Sequence, residues 1–132
     1  MRFTREDACR AWLSTAEIND DQWERLLARH GSAETAYAEA QRHGDGPLAA
    51  CGLSRRQCAV LAQEAERESM HWRLLAMQQA GISMLYRDDP RFPKALRQLA
   101  DPPWLLFYKG ELNCLMGRHL AMVGTRKSSA YA

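Results

Sequence analysis

Gly81-Ile82-Ser83-Met84-Leu85-Tyr86 is the stretch on which the reading of this chain turns. Upstream of it, apolar residues recur at helical spacing; from Ile82 onward they come as short unbroken runs. A glycine just past a helix can end it in the left-handed conformation, and a five-residue apolar run is a strand's length. The spacing therefore predicts a boundary near Gly81, with a helical domain over residues 1–80 and the beginning of an α/β domain over residues 81–132.

Working back from Gly81, cap residues divide the front into helices in series. Thr4 with Asp7 resembles a capping box, in which two side chains satisfy two otherwise unpaired N–H groups. Asn19 or Asp20 can cap a second helix carrying Trp23, Leu26 and Leu27, with Gly31 as its terminator. Ser32 can cap a third, which stops at the turn Gly44-Asp45-Gly46-Pro47. A short helical turn at Leu48–Cys51 follows. Ser54 with Gln57 then opens a long helix expected to reach about Ala80, with Trp72 and Met77 among its apolar positions. Short connections and a small shared core imply a bundle of four or five helices. The Gly52-Leu53-Ser54 turn loosely resembles half of a DNA-binding helical hairpin, but a tight inter-helix turn is the better reading. The tryptophans at helical spacing read as core rather than as base-stacking platforms.

Working forward, Ile82–Tyr86 is a first strand. Pro93 suits the first turn of a helix running to about Leu99. Trp104-Leu105-Leu106-Phe107-Tyr108 is a second strand, apolar throughout, as in a parallel sheet covered on both faces. His119-Leu120-Ala121-Met122-Val123 is a third. Strands alternating with a helix belong to an α/β fold.

Composition agrees with a folded, non-membrane chain: 46% of the 132 residues are hydrophobic and 26% charged. No apolar run is long enough to span a bilayer, and the charged start lacks a signal peptide's apolar core, so a cytoplasmic location without membrane insertion is expected. Cys9, Cys51, Cys58 and Cys114 form no C-x-x-C pair and stand apart from the histidines. They read as reduced, mostly buried thiols, with neither metal nor cofactor expected. The net charge of +2 conceals an asymmetry, because the whole basic excess lies in residues 86–132. An anionic ligand is expected there.

The third strand runs into Gly124-Thr125-Arg126-Lys127-Ser128-Ser129-Ala130-Tyr131. Ligands of open α/β sheets bind where a strand ends and the next helix begins. Glycine permits a sharp turn, free helix N–H groups favour an anion, and Thr125, Ser128 and Ser129 offer hydroxyls. Arg126 brings a planar fork matched to phosphate, and Lys127 a second, less directional charge. Neither G-x-G-x-x-G nor a Walker sequence is present, so neither a dinucleotide site nor a Walker NTPase is indicated. From the residues alone, this is either a phosphate site or an ordinary strand-to-helix connection.

Three motifs in order decide between these. Asp89-Pro90-Arg91-Phe92-Pro93-Lys94-Ala95-Leu96, then Asp101-Pro102-Pro103 with the apolar run to Tyr108-Lys109-Gly110, then Val123-Gly124-Thr125-Arg126 through Tyr131 together resemble the opening of the DNA-processing protein A family, DprA or Smf. The resemblance implies a small sterile-alpha-motif-like helical domain followed by the first strands of an incomplete, extended Rossmann-like domain, the chain being its N-terminal part. It implies no enzymatic activity but single-stranded DNA binding, and loading of the recombinase RecA during natural transformation. Gly124, Thr125 and Arg126 match the family's loop, with Arg126 as the phosphate-contacting cation, Lys127 beside it and Ser129 at a matching position. The family's Tyr-Gly is Tyr131-Ala132 here. A sheet lacking its later strands exposes an apolar edge and face, so weak DNA binding by these residues alone and self-association are both expected. Two other classes compete: a nucleotide-phosphate-binding enzyme of the phosphoribohydrolase type, and a helical protein-interaction module.

Overall fold

The computed structural model describes residues 3–66, 69–127 and 130. Local capping chemistry starts its first three helices. In α1 (Arg5–Ser14), Thr4 and Asp7 form the expected capping box; in α2 (Asp20–His30), Asn19 and Gln22 form another. The Ser32 hydroxyl accepts from Thr35 N at the head of α3 (Ala33–His43). A longer-range contact completes that helix start, since the Glu6 carboxylate accepts from Ala33 N (3.1 Å) and Glu34 N (2.9 Å). A negative charge on the free amides of a helix N-terminus is stabilising, so α1 positions α3 through one side chain. Gly31 ends α2 at φ 77°, a left-handed conformation that costs glycine little.

A short α4 (Gly46–Ala49) leads to α5 (Arg55–Glu66), whose Ser54–Gln57 capping box is present as expected. The single long helix expected to reach Ala80 is described in two parts, α5 and α6 (Ser69–Gln79), residues 67 and 68 lying outside the described residues, and Arg73 pairs with Glu64 at 2.8 Å. Residues nine apart on one straight helix lie on opposite faces, roughly 13 Å apart along the axis. That ion pair therefore requires the two helices to differ in direction. Trp72, expected among the core positions, is 69% exposed.

The core is built around α1. Trp12 and Leu13 are buried among Leu26, Ala36, Leu48 and Leu61. The Trp12 indole donates to Leu61 O at 2.9 Å, and its ring meets Tyr37 edge-on at 4.9 Å. The same cluster takes in Trp104, from far along the chain, which stacks on Trp23 with ring centres 4.4 Å apart and donates to Ile18 O at 3.1 Å. Trp12 and Trp23 are thus core, as their helical spacing predicts, and Trp104, read as the start of a strand, is core with them.

Strands follow the helices: β1 (Ile82–Tyr86) and β2 (Leu105–Lys109). They pair antiparallel, Ile82 opposite Lys109 and Tyr86 opposite Leu105, rather than in the parallel arrangement expected. The connection, which includes a short α7 (Lys94–Arg97), returns to the point it left: Arg87 N donates to Trp104 O at 3.2 Å, so β2 begins beside the end of β1. Nor is the sheet covered on both faces, for Phe107 is 47% exposed. After a 3-10 segment (Leu112–Met116), residues 119–123 form no strand. A strand needs a neighbour for its backbone groups, and the described residues provide none there.

Polar contacts reinforce the join between strands and helices. The Tyr86 hydroxyl donates to Asp7, and Arg10 lies 4.0 Å over the Tyr86 ring. Arg87 binds both Asp20 and Glu24. Burial acts to raise the Asp7 carboxyl. Hydrogen bonds from Tyr86 and from the Thr4 amide and hydroxyl, aided by the Arg10 charge, outweigh it and hold Asp7 below its ordinary value.

Two outcomes follow from this packing. Trp104→Ala removes the indole from the shared core and is expected to lower unfolding stability by about 3–5 kcal/mol, read by urea denaturation. Because Asp7 has a depressed folded pKa, its contribution is present above the unfolded carboxylate value and is lost as pH falls through the folded one. Asp7→Asn should thus flatten the acid limb of the stability–pH curve.

Candidate nucleic-acid interface

A cation serves a polyanion only if its charge is not already committed. Of the eight Lys and Arg residues in 86–132, three are engaged within the chain. Arg87 is held by Asp20 and Glu24. Arg91 grips Asp89 with Nη2 at 2.7 Å and Nε at 3.0 Å, and this contact holds the Asp89 carboxyl below its ordinary range. Arg97 donates to Asp89 O at 2.5 Å, its guanidinium 5.8 Å from the Phe92 ring centre. Lys94, Lys109, Arg118, Arg126 and Lys127 are exposed and have no acidic partner among the described residues. The charge asymmetry of the sequence thus survives folding as five uncommitted cations.

The loop at 124–127 lies fully at the surface. Its one internal bond runs from Thr125 Oγ1 to Lys127 O at 2.7 Å, which tightens the backbone around Arg126. A side chain added at Gly124 meets nothing within 4 Å. Thr125 and Lys127 are brought together; Arg126 touches neither the other cations nor any acid among the described residues. Ser129 lies outside the described residues, as do Ser128, Tyr131 and Ala132, so the helix start expected to supply free amides lies there too. The approach to the loop is apolar and uncovered: Leu120, Met122 and Val123 are 89%, 91% and 97% exposed. This matches the exposed apolar surface anticipated for strands without neighbours.

The other DNA-binding element considered from sequence is the turn before α5. Its amides are all used internally: Gly52 N to Ala49 O, Leu53 N to Leu48 O and Ser54 N to Gln57 Oε1. It is an inter-helix turn, with no amide left for a phosphate. Cys9, Cys51 and Cys58 are free and buried, and burial pushes the Cys9 thiol up to about 11. Cys114 is exposed. No cluster of potential metal ligands occurs among the described residues, and no helix among them is long and apolar enough to cross a membrane.

Residues 83–132, which run from β1 through the Gly-Thr-Arg loop, match the family model described as DNA recombination-mediator protein A. This part of the chain is similar to that family. Among curated proteins the chain is 32% identical over 84 residues to the DNA processing protein DprA of Bacillus subtilis (strain 168). The match covers 60% of this chain and 28% of that relative, so the chain spans under a third of the relative's length. No solved structure matches the chain.

Arg126 and Lys127 hold nothing in place, and exposed residues without partners contribute within about 0.5 kcal/mol of stability. Arg126→Ala and Lys127→Ala are expected to leave the thermal unfolding midpoint unchanged. A clear drop in either would show that the loop is a structural contact.

Proposed function

We propose that the chain contributes a single-stranded-DNA-binding surface to a recombination mediator that hands incoming DNA to RecA during natural transformation, acting in the cytoplasm by binding rather than catalysis. In this reading residues 1–80 are a helical domain and residues 81–132 open an extended Rossmann-like domain whose sheet builds outward from β2. The observation that carries it is Arg126: an uncommitted guanidinium in the Gly124-Thr125-Arg126 loop, within the stretch that matches the family. Arg126 grips a phosphate, Lys127 adds charge, and Gly124, Thr125 and Ser129 complete the contact. Phosphate contacts give affinity without sequence preference, which is what a protein accepting any incoming strand requires. Residues 1–132 alone present this loop without surrounding walls, so their affinity is weak, and the bare apolar run before it promotes self-association.

Fluorescence anisotropy with labelled oligonucleotides of different sequence tests the reading. Binding should be weak, indifferent to sequence and steeply salt-dependent. Arg126→Ala should weaken it and reduce the slope of log K against log salt by about 0.7, the value for one lost contact to a single strand. An unchanged affinity and slope in Arg126→Ala would remove the loop from the DNA site.

A further inference from the structure

The basic excess of the sequence lies in the last third, yet folding also gathers arginines in the acidic first part. Arg25 and Arg29 stand four apart on α2 and so share a face. That face meets the turn between α4 and α5: Gln22, one turn before Arg25, donates to Gly52 O at 2.8 Å and contacts the Gln57 side chain at 3.0 Å. The Arg25 guanidinium lies directly across Gly52, its Nη1 2.9 Å from where a Cβ would stand. Gly52 has φ +86°, so both its conformation and its missing side chain make room for that guanidinium. Just past the turn, Arg55 and Arg56 open α5, exposed and without acidic partners among the described residues. Arg56 also borders a groove of about 360 Å³ with Thr15, Glu17, Ser54 and Gln57. The acids that face the patch are Asp21, which pairs with Arg25 at 2.7 Å, and Glu17. Beneath the turn the Cys51 sulfur lies 3.8 Å from Arg25 O and 3.9 Å from His30 Nε2, so the last turn of α2, which carries Arg29, borders the same point.

We propose that Arg25, Arg29, Arg55 and Arg56, grouped about the Gly52 turn, form a second contact for the phosphate backbone of single-stranded DNA, on the helical part of the chain. Four guanidiniums against two carboxylates leave a net positive surface. Their planar donors suit phosphate oxygens, and the contact works through side chains because the turn's amides are already bonded. This rests on the DNA-binding reading above and extends it. The strand passing Arg126 continues onto the helices, so that the helical part adds affinity of its own.

The test compares anisotropy titrations of an oligothymidylate, at several low salt concentrations, for the chain and three variants: Arg55→Ala with Arg56→Ala, Arg126→Ala, and all three together. The double variant should bind roughly tenfold more weakly, with a salt slope about 1.4 smaller, two contacts having been lost. The triple variant should lose both increments. Gly52→Ala supplies an independent check: its methyl group displaces Arg25, and DNA binding should fall along with some loss of stability. Circular dichroism melts check that Arg55→Ala with Arg56→Ala remains folded, as expected since neither side chain has a partner among the described residues. If the double variant binds like the parent while Arg126→Ala is weakened, the helical patch is overturned and the loop stands. If the double variant is weakened while Arg126→Ala is unaffected, the loop fails and the patch stands. Absence of binding by the parent chain at low salt overturns both, and leaves the arginines to an acidic protein surface.

Discussion

The stack of Trp104 on Trp23 is the contact on which the arrangement depends. It joins a residue at the head of β2 to the second helix, and its indole N–H is satisfied by Ile18 O rather than left buried and unpaired. An aromatic pair of this kind stabilises beyond the area it buries. With Trp104 seated, β2 starts beside the helices and pairs antiparallel with β1, and Tyr86 and Arg87 bind Asp7, Asp20 and Glu24. The helical and strand parts are thereby packed against one another, although the apolar spacing changes character between them.

That docking also sorts the cations. Arg87, Arg91 and Arg97 lie on the connection between β1 and β2, where they are drawn into structural pairs. Arg126 and Lys127 lie beyond the last strand, where nothing competes for them. The same division separates the residues of the proposed DNA contact from those that hold the fold, so the two sets can be changed independently. On the helical side, Arg25 is partly neutralised by Asp21, whereas Arg55 and Arg56 are not, and those two report on binding with the least disturbance to structure.

Much of the local structure was legible in the sequence. The capping boxes at Thr4 and Ser54, the Ser32 cap and the Gly31 terminator each depend on residues three or four apart and formed as read, and of the two candidates Asn19 and Asp20 it is Asn19 that caps α2. The core assignment of Trp12 and Trp23 also held. Trp72 did not, because helical spacing alone cannot tell which face of α6 finds a partner. The arginine patch escaped notice because residues 1–85 are net acidic as a whole, and a sum over a segment hides what one turn concentrates. The adjacent pair Arg55-Arg56 after a cap serine was the one visible sign. The Gly-Thr-Arg loop was legible as a motif but not as a site, since a phosphate pocket needs walls that no short motif encodes.

The sequence by itself determined where the capped helices begin, where the chain changes from helical to extended spacing, and which family its second part resembles. Each of these rests on short-range hydrogen bonding or on motif order. Only the tertiary structure decided the antiparallel pairing of β1 with β2, the change of direction between α5 and α6, the solvent exposure of residues 119–123, and which arginines keep their charge available. Those outcomes depend on which groups meet across the chain, a property of the packed molecule rather than of any segment within it.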